Sequence, residues 1–482
     1  MSENSHREIF TIGIGGAAGE GAKYTGTNIG TLLRDSGLQV YLSLDYPSLI
    51  RGGHNFIRIS CSKEKVWNDY AKLDVLVCLN EETKEIHKNE LKEGAWVLSG
   101  LNNEEILNKI KEFLSTKGLV DFTSGSIAPK GELVDGNTAF AKGLQTAGLD
   151  FYISYPMTPA TSILHYLAEK QTRDGLKVVQ PENEISVINM ALGVSYVGKR
   201  VAIGTATGGF ALMQEAFSFS GIAELPLAIA VVQRQAPATG VPTRSSQSDL
   251  RFVIHAGHGE FPRIVIAPGD SEESFKAGAE ALNLAWKFKI PVIVLLDKIL
   301  SEHMMTSNFD KNISVEKNKD IIFPGTPGRV VKVTSYEHDE GGLTIDTASD
   351  VKMAMDKRFA KGEEIKKEML KRETVKVYGD TSSENAIVFF GSTKSPILEA
   401  SKHFEKSVKL VQIVWLEPFD IEKVKRELEG KKIICVEANY NGQLASLIRE
   451  RTGIEVAHKI LRYDSLPFDP EELANQINSI LK

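Results

Sequence analysis

Residues Phe151–Gln171 read FYISYPMTPATSILHYLAEKQ and contain one complete change of hydrophobic pattern. The opening apolar run predicts a β-strand. Pro156 and Pro159 end it, because proline fixes φ and disfavours helical geometry in the residue before it. Apolar residues at helical spacing then predict a helix. The stretch therefore predicts a strand–turn–helix unit that holds Thr158 rigidly where the strand ends.

The same strand–helix alternation continues over residues 136–305. The predicted strands that follow are LKVVQ, RVAIGTAT, LPLAIAVVQ, PRIVIAP and PVIVLLD, with helical patterns between most of them. Asp270 begins one of these helices, with Glu273 at the spacing of a capping box. Apolar strands that alternate with helices favour a parallel sheet.

Two further regions alternate in a similar way, and in the first of them the pattern favours a parallel or mixed sheet. A length of 482 residues corresponds to about three domains. We therefore predict the fold class α/β, with three α/β domains and largely parallel sheets. The predicted segments are a first domain at 1–118, a linker at 119–135, a second domain at 136–308, an irregular connecting segment at 309–382 and a third domain at 383–482.

The composition is that of a folded protein with no unusual charge. A net charge of −6 gives no reason to expect a nucleic-acid or membrane-surface partner. The longest apolar runs have the length of strands, far short of a membrane span. The polar start MSENSHRE lacks the apolar segment of a signal peptide. We therefore expect a cytoplasmic protein.

The three cysteines, Cys61, Cys78 and Cys435, lie far apart and form no C-x-x-C pair. An iron–sulfur cluster usually needs four thiolates and structural zinc needs four ligands, so this chain alone is not expected to hold either. Cys78 and Cys435 lie in buried-strand patterns and are expected to be core thiols. We assign no metal ligands, and three scattered histidines are predicted to be structural: His255, His258 and His303.

Glu184 lies in QPENEISVINMALG, directly after a predicted strand. Pro181 ends that strand, Asn183 has the residue type of a helix N-cap, and apolar residues follow at helical spacing. Glu184 thus occupies a first helical turn at the carboxyl edge of a parallel sheet, where such folds bind ligands. An acid in the first turn also complements the helix dipole, and on spacing alone this second interpretation is favoured.

The stretch Val231–Leu250 reads VVQRQAPATGVPTRSSQSDL and runs from a strand into a long polar loop. A loop of this length in a compact domain is commonly functional. Arg234 stands at the carboxyl end of the strand, where an arginine suits bidentate capture of a carboxylate or phosphate. A solvated loop with surface arginines explains the pattern equally well.

The stretch GIGGAAGEG, Gly13–Gly21, matches the G-x-G-x-x-A variant of the dinucleotide-binding fingerprint. Asp45 lies near the expected position of a ribose-binding acid. The neighbouring stretch DYPSLIRGGHN has no place in that fingerprint, so close packing or contact with a partner is the favoured explanation. A non-catalytic dinucleotide-binding or scaffold subunit stays open as an alternative.

Four motifs, taken in order, resemble one protein family: YPMTP, PENEISVINMALGVSYVGKR, TATGGFALMQEA and QRQAPATGVPTRSSQSDL. They are similar to the α subunit of 2-oxoacid:ferredoxin oxidoreductases, in the form with a fused N-terminal γ-like domain, as in 2-oxoglutarate:ferredoxin oxidoreductase. GIGGAAGEG with DYPSLIRGGHNFIRIS resembles that γ domain, and YEHDEGGLTID with MAMDKRFAK resembles the middle segment. WLEPFD with VEANYNGQLASLIRE resembles the transketolase-like C-terminal domain. The resemblance implies that residues 136–308 form the pyrimidine-binding domain for thiamine diphosphate.

The resemblance also implies roles for individual residues. Glu184 matches the glutamate that activates thiamine diphosphate, and Pro156 belongs to the wall expected to contact this cofactor. Thr158 matches the threonine that faces substrate and thiazolium, where it can donate a hydrogen bond during catalysis. Arg234 and Thr243 match the residues that bind the carboxylate of the 2-oxoacid.

Several positions depart from the family pattern or leave it open. Met157 stands where isoleucine is common, a change that conserves volume. Many relatives have a glycine in place of Gln235 or Ala236, and this difference leaves the substrate open. Glu182 is the less favoured acid beside the predicted catalytic one. 2-Oxoglutarate is the favoured substrate, with Arg244 or a β-subunit lysine as the cation for its distal carboxylate, while pyruvate and branched-chain 2-oxoacids remain alternatives.

Thiamine diphosphate binds Mg²⁺ through a G-D-G motif, and this chain has only PGD and YGD. The resemblance therefore implies an obligate β subunit that carries the Mg²⁺ and a 4Fe–4S cluster, with the cofactor at the α–β interface and two αβ units in the particle. The implied reaction is CoA-dependent oxidative decarboxylation of a 2-oxoacid, with ferredoxin as electron acceptor. Another transketolase-like thiamine enzyme component, without the ferredoxin step, is the second alternative.

Overall fold

The computed structural model describes residues 9–47, 53–120, 131–316 and 321–482. The strands of these ranges are β1 (Phe10–Ala17), β2 (Gln39–Asp45), β3 (His54–Ser62), β4 (Leu73–Cys78), β5 (Leu91–Ser99), β6 (Glu132–Asp135), β7 (Phe151–Ile153), β8 (Lys177–Val179), β9 (Val201–Ala206), β10 (Leu227–Gln233), β11 (Ile264–Ile266), β12 (Pro291–Asp297), β13 (Met304–Ser307), β14 (Val375–Gly379), β15 (Asn385–Phe389), β16 (Lys409–Ile413), β17 (Trp415–Glu417), β18 (Lys432–Glu437) and β19 (His458–Leu461).

The α-helices of the same ranges are α1 (Ala22–Asp35), α2 (Glu81–His87), α3 (Asn103–Thr116), α4 (Gly136–Thr146), α5 (Thr161–Asp174), α6 (Glu184–Tyr196), α7 (Thr207–Leu212), α8 (Gln214–Ile222), α9 (Leu250–Ile254), α10 (Ser271–Phe288), α11 (Lys298–Glu302), α12 (Ala348–Met369), α13 (Lys394–Ala400), α14 (Ile421–Leu428), α15 (Gln443–Thr452) and α16 (Pro470–Leu481). Short 3₁₀ segments cover Lys88–Glu90, Gly391–Thr393 and Ser401–His403. Within these described ranges, no helix combines the length and the apolar character needed to cross a membrane.

The first domain is built on a mixed sheet, whose order among the described strands is β5–β4–β1–β3–β2–β13–β6. β1 runs parallel to β4 but antiparallel to β3, and β2 also pairs antiparallel with β3. β2 ends at Asp45 and β3 begins at His54, and a connection this short joins antiparallel rather than parallel neighbours. The sequence predicts a parallel or a mixed sheet for this region, and the structure has a mixed sheet.

The GIGGAAGEG stretch begins inside β1 and not at the turn that follows the strand. A Cβ on Gly13 would lie 2.5 Å from the ring of Phe56, and a Cβ on Gly15 would lie 2.5 Å from the Thr83 side chain. Close packing against β3 and α2 therefore accounts for these two glycines. Part of the neighbouring motif DYPSLIRGGHN, residues 48–52, lies outside the described residues.

Two short strands complete the first sheet from beyond the predicted first domain. β6 and β13 pair antiparallel, with Asp135 opposite Met304, and β13 also pairs with β2. The structure therefore differs from the predicted boundaries, because β6 lies in the predicted 119–135 linker and β13 lies inside the predicted second domain, 136–308. Four-residue strands carry too little periodic pattern to be recognised, and their partners are distant in sequence. Residues 121–130 of the predicted linker lie outside the described residues.

The second domain has a sheet with the described strand order β17–β11–β12–β10–β9–β7–β8, parallel except at the β17–β11 edge. Its central strands β10 and β12 are buried along their whole length, as expected when helices cover both faces of a parallel sheet. Residues of α4, α5 and α10 pack on one face, and residues of α6, α7 and α8 pack on the other. Between β9 and β10 the chain forms two helices, α7 and α8, which meet at Met213.

The third sheet has the described order β14–β16–β15–β18–β19, and only β14 and β16 pair antiparallel in it. β14 begins before the predicted third domain, inside the 309–382 connecting segment, which also contains α12. β17, predicted within 383–482, joins the second sheet instead. The predicted class of three α/β domains with largely parallel sheets is confirmed.

The three domains meet at a buried ion cluster. The Lys394 ammonium of the third domain lies 2.6 Å from Glu273 Oε1 and also contacts Asp270, both of the second domain, and each of these side chains is at most 6% exposed. The Trp67 ring of the first domain lies 5.4 Å from Lys394 Nζ. The backbone N–H of Trp67 donates to Glu399 Oε2, in the third domain, at 2.8 Å. These contacts connect all three domains at one place.

Candidate active site

Four segments that carry candidate residues meet at one edge of the second sheet. β7, β9 and β10 run parallel, so their carboxyl ends lie together. The YPMTP segment follows β7, and α7 follows β9. Residues 234–249, which we call the β10–α9 loop, follow β10. β8, which also runs parallel to β7, leads to Glu184 at the start of α6. The parallel register therefore gathers the predicted residues at the edge where open α/β sheets bind ligands.

Glu184 is a buried carboxylate with an unsatisfied oxygen. It is the first residue of α6, whose N-cap Asn183 accepts the Ser186 N–H at 2.9 Å. Glu184 is only 3% exposed, and its Oε1 has no hydrogen-bond partner among the described residues. Burying a polar atom without a partner is unfavourable, so a ligand donor at this oxygen would be stabilising. An acid that only complements a helix dipole has no need of such burial.

Thr205 and Gly209 form the surroundings of this carboxylate. A Cβ on Gly209 would lie 2.1 Å from Thr205 Oγ1 and 2.7 Å from Glu184 Oε1, so only glycine allows α7 to pack this closely. The Thr205 hydroxyl also donates to Met157 Sδ at 3.9 Å and thereby links the end of β9 to the YPMTP segment. Neither residue stands out by type in the sequence, and the run TATGG at the end of a strand is the signal that identifies them.

Gly209→Ala is expected to displace α7 from the Glu184 carboxylate. The added methyl group has no space, and overpacking of this kind costs about 1–3 kcal/mol. We expect a lower melting temperature and a loss of cofactor-dependent activity of at least about tenfold. Gly208→Ala is the matched control, because a Cβ at Gly208 would meet only the Ala238 carbonyl oxygen, at 3.7 Å. Equal effects of the two substitutions would contradict this packing.

The YPMTP segment is fixed by hydrogen bonds to neighbouring strand ends. Ser154 Oγ donates to the Gly204 carbonyl oxygen at 2.7 Å, and Arg234 Nη1 donates to the Thr158 carbonyl oxygen at 2.6 Å. Pro156 and Thr158 are both half-buried. The Thr158 hydroxyl has no partner among the described residues, so its backbone is fixed while its side chain stays available.

Thr158 lines a cavity of about 260 Å³ between the first and second domains. Pro159 and Thr161 extend the lining on the second-domain side, and Tyr46 and Asn55 lie on the first-domain side. Asn55 is buried, and its Oδ1 has no partner in the described part of the chain. The chain itself therefore supplies both walls of this cavity.

Arg234 is half-buried at the start of the β10–α9 loop. Apart from the bond to the Thr158 carbonyl, its guanidinium forms no hydrogen bond to a described residue. Burial lowers the pKa of Arg234 from its ordinary value, but an arginine still carries its charge at neutral pH. Its remaining N–H groups can bind a carboxylate of a ligand.

The β10–α9 loop folds back on itself. The Gln235 N–H donates to the Arg244 carbonyl oxygen at 3.0 Å, and the Val241 N–H donates to the Gln235 carbonyl oxygen at 3.0 Å. Gly240 has φ 53°, and a Cβ there would lie 1.8 Å from the Gln235 carbonyl oxygen. Thr243 is half-buried on the returning arm, and its hydroxyl meets no hydrogen-bonding group of the described residues.

Arg244 and Asp45 bind each other. Arg244 Nη1 lies 2.9 Å from Asp45 Oδ1, and this ion pair joins the β10–α9 loop to the first domain. The guanidinium proposed from the sequence for a distal carboxylate therefore already has an acidic partner, and the acid considered for a ribose already has a basic one. Glu182, the less favoured acid, is exposed and accepts a hydrogen bond from the Ser186 hydroxyl.

Asp249 fixes the start of α7 from the far end of the β10–α9 loop. The Thr207 hydroxyl donates to Asp249 Oδ2 at 2.8 Å, and the Asp249 N–H donates to Gln233 Oε1 at 3.0 Å. Burial raises the pKa of Asp249 above its ordinary value. These bonds connect the loop to the helix that carries Gly209.

The cysteines are free and buried. Burial raises the pKa of Cys61 to about 12 and raises the pKa values of Cys78 and Cys435 as well, so none is poised as a thiolate ligand. Within the described ranges, no cluster of three or more histidine, cysteine, aspartate or glutamate side chains could hold a metal ion. His303 is buried, shares a 2.9 Å hydrogen bond with the Tyr41 hydroxyl, and has its pKa lowered to about 4 by burial.

Comparison with known proteins assigns the class. The family described as "Pyruvate flavodoxin/ferredoxin oxidoreductase, thiamine diP-bdg" matches residues 142–356. The family described as "Pyruvate ferredoxin/flavodoxin oxidoreductase" matches residues 11–139. The fold and these two matches thus place the chain in the class of pyruvate ferredoxin/flavodoxin oxidoreductase-like proteins.

Three relatives make the assignment more specific. The "2-oxoacid:ferredoxin oxidoreductase subunit alpha" of Saccharolobus solfataricus is 38% identical over 72% of this chain and 61% of its own length. The "2-oxoglutarate synthase subunit KorA" of Archaeoglobus fulgidus is 31% identical over 65% of this chain and 89% of its own length. The solved structure of 2-oxoglutarate:ferredoxin oxidoreductase from Magnetococcus marinus, with 2-oxoglutarate, coenzyme A and succinyl-CoA bound, superposes with a TM-score of 0.87 at 26% identity and covers 99% of this chain and 100% of its own.

This chain belongs to the family of 2-oxoacid:ferredoxin oxidoreductase α subunits, and the resemblance predicted from its motifs is confirmed. It spans 61% of the length of the Saccharolobus relative.

Proposed function

We propose that this chain is the α subunit of an enzyme that oxidatively decarboxylates a 2-oxoacid in the presence of coenzyme A. The products are an acyl-CoA, CO₂ and reduced ferredoxin. The proposal places thiamine diphosphate at the carboxyl edge of the second sheet, shared with a β subunit, in a cytoplasmic particle of two αβ units.

The observation that carries the proposal is the Oε1 of Glu184, which is buried against Thr205 and Gly209 and has no hydrogen-bond partner in the described part of the chain. A buried acceptor without a partner fits an aminopyrimidine, which presents hydrogen-bond donors to a carboxylate. When bound, thiamine diphosphate supplies an electron sink for decarboxylation. Glu184 would hold the pyrimidine ring and share a proton with it, while Pro156 would limit the space beside the ring.

Three residues would orient the substrate. Arg234 offers free N–H groups at the same edge and would hold the 2-oxoacid carboxylate, assisted by the Thr243 hydroxyl. The Thr158 hydroxyl, which is free while its backbone is fixed, would donate to the developing negative charge on the substrate oxygen. Fixed orientation of this kind supplies a large part of a catalytic rate.

The remaining cofactors belong on a partner. The sequence has no G-D-G for Mg²⁺ and too few cysteines for a 4Fe–4S cluster, and its three cysteines are buried. We therefore assign both the Mg²⁺ and the cluster to the β subunit, which would deliver electrons to ferredoxin. The α-subunit names of the relatives support such a partner.

2-Oxoglutarate is the favoured substrate. The Archaeoglobus relative is named a 2-oxoglutarate synthase subunit, and the Magnetococcus structure holds 2-oxoglutarate and succinyl-CoA. Arg244 is paired with Asp45, so we assign recognition of the distal carboxylate to the β subunit.

The function is tested with the chain purified together with its β subunit. Anaerobic reduction of a viologen dye is measured with 2-oxoglutarate, pyruvate and branched-chain 2-oxoacids, with and without coenzyme A. We expect CoA-dependent reduction, fastest with 2-oxoglutarate. Decarboxylation without electron transfer would favour another thiamine enzyme component, and inactivity on every 2-oxoacid would favour a scaffold subunit. Tight Mg²⁺-dependent binding of thiamine diphosphate to this chain alone would contradict the shared site.

Arg234→Gln is expected to raise the KM for the 2-oxoacid by about 10- to 100-fold, because a charged hydrogen bond to a carboxylate contributes about 1.5–3 kcal/mol. The KM for coenzyme A is expected to stay within about twofold of the wild-type value. Arg251→Gln is the matched control, since Arg251 pairs with Glu450 outside the β10–α9 loop. A similar rise in KM in both variants would contradict the assigned role.

A further inference from the structure

The ion pair between Asp45 and Arg244 crosses a domain boundary. Asp45 is the last residue of β2 in the first domain, and Arg244 lies on the returning arm of the β10–α9 loop. The side chains are 63% and 30% exposed, so the pair is accessible to solvent and ions. A solvent-exposed ion pair contributes little to the free energy of unfolding. The expected effect of this pair is therefore local: it fixes the position of the β10–α9 loop.

Backbone bonds carry the position of Arg244 to the start of the loop. The Gln235 N–H donates to the Arg244 carbonyl oxygen at 3.0 Å, and the Arg244 N–H donates to the Val241 carbonyl oxygen at 2.9 Å. Gln235 directly follows Arg234, which itself donates to the Thr158 carbonyl. A shift of Arg244 therefore moves the backbone next to Arg234.

The first-domain end of the pair is itself held in place. Tyr46, the next residue after Asp45, donates its hydroxyl to Glu302 at 2.8 Å. The Lys298 ammonium lies 2.7 Å from Glu302 and 4.5 Å from the Tyr46 ring centroid. Tyr46 thus anchors the end of β2, which carries Asp45, to α11.

We propose that Asp45 is a positioning residue of the substrate site, which holds the β10–α9 loop through Arg244 so that Arg234 and Thr243 meet the 2-oxoacid carboxylate. The residues assigned to the reaction all lie in the second domain. Through Asp45 the first domain would then contribute to the affinity for the 2-oxoacid. This inference rests on the function proposed above.

The competing explanation is that Arg244 binds a distal carboxylate and Asp45 competes for it. The two explanations predict opposite effects of one substitution. If Asp45 positions the loop, removing its charge weakens substrate binding. If Asp45 competes with substrate, removing its charge strengthens binding of 2-oxoglutarate.

The experiment measures KM and kcat of the αβ complex for 2-oxoglutarate in wild type, Asp45→Asn, Arg244→Gln and the double variant. We expect each single substitution to raise KM about two- to fivefold with kcat nearly unchanged, the range that an exposed ion pair can supply. The KM of the double variant is expected not to exceed the higher KM of the two single variants, because each single substitution already removes the same interaction. The effect is expected to disappear in about 1 M KCl, where exposed charges are screened.

Glu272→Gln is the matched control, because it removes another ion pair between the first and second domains, with Lys65 at 3.1 Å, away from the β10–α9 loop. We expect its KM to match wild type. A fall in KM for Asp45→Asn, or additive effects in the double variant, would overturn the proposal. Failure of the wild-type complex to use any 2-oxoacid would instead overturn the proposed function, so the two failures are distinct.

Discussion

Glu184→Gln is expected to lower the 2-oxoacid-dependent rate of the αβ complex by about 10²- to 10⁴-fold, the range supplied by a positioned acid–base group. The amide has nearly the same shape as the carboxylate, so the packing against Thr205 and Gly209 is retained. It cannot, however, exchange a proton with a bound pyrimidine. The rate is measured by viologen reduction, and assembly is measured by size-exclusion chromatography.

Glu182→Gln is the matched control, since it makes the same change two residues earlier in an exposed side chain. We expect the rate of this variant to stay within about twofold of wild type. The melting temperature of Glu184→Gln is expected to equal or exceed that of wild type, because the substitution removes a buried unsatisfied carboxylate. Full activity in Glu184→Gln would refute the assignment of this residue to the cofactor.

Lys394→Met is expected to reduce the free energy of unfolding by about 3–5 kcal/mol, because it leaves the Asp270 carboxylate buried without the Lys394 ammonium. Glu273 keeps its second cation, Lys376, at 3.1 Å. Lys394 is 3% exposed and lies where the three domains meet. The loss is measured as a shift of the urea midpoint of the purified chain. Lys352→Met removes an exposed pair with Asp356 on α12 and is expected to change stability by less than about 0.5 kcal/mol. Equal shifts in the two variants would contradict a stabilising cluster.

The pH dependence of this effect follows from the shifted pKa values. Burial alone would raise the pKa of Asp270, but the Lys394 ammonium outweighs burial and holds that pKa below its ordinary value. Burial alone would lower the pKa of Lys394, but Asp270 and Glu273 raise it well above its ordinary value. The carboxylate therefore contributes stability above its unfolded pKa of about 3.9, and the ammonium contributes below its unfolded pKa of about 10.4.

The stability difference between wild type and Lys394→Met is accordingly expected to be largest at about pH 8 to pH 9. It should shrink as the pH falls, because burial raises the pKa of Asp270 once Lys394 is absent, and the carboxyl of the variant then takes up a proton. At the alkaline end it should shrink only as the pH rises through the folded-state pKa of Lys394. Urea midpoints at a series of pH values check this. A difference that peaks in acid would contradict the assigned charges.

The second domain could be predicted from the sequence because its signals are local. Strands such as β10 and β12 are buried on both faces and read as continuous apolar runs, and the prolines of YPMTP mark a strand end. Parallel pairing then places Thr158, Glu184 and Arg234 at one edge, without any knowledge of side-chain positions. The strand–helix alternation thus contains most of the information about this part of the site.

The features that escaped prediction depend on distant contacts. β6 and β13 are four residues long and pair across about 170 residues of chain, so no local pattern reveals them. Asp45 and Arg244 are separated by 199 residues, and each has a sufficient local explanation of its own. The burial of Glu184 depends on the absence of a side chain at Gly209, which hydrophobic periodicity does not report.

The pairing of β6 with β13 also has a mechanical consequence. α4 begins directly after β6, and β13 follows closely after α11, so the chain enters and leaves the second domain through two adjacent strands of the first sheet. Residues 136–303 are therefore an insertion between two adjacent strands of the first sheet, and one break in the backbone cannot release them. Movement of this insertion relative to the first sheet would bend the chain at this strand pair, close to the wall that Thr158 shares with the first domain.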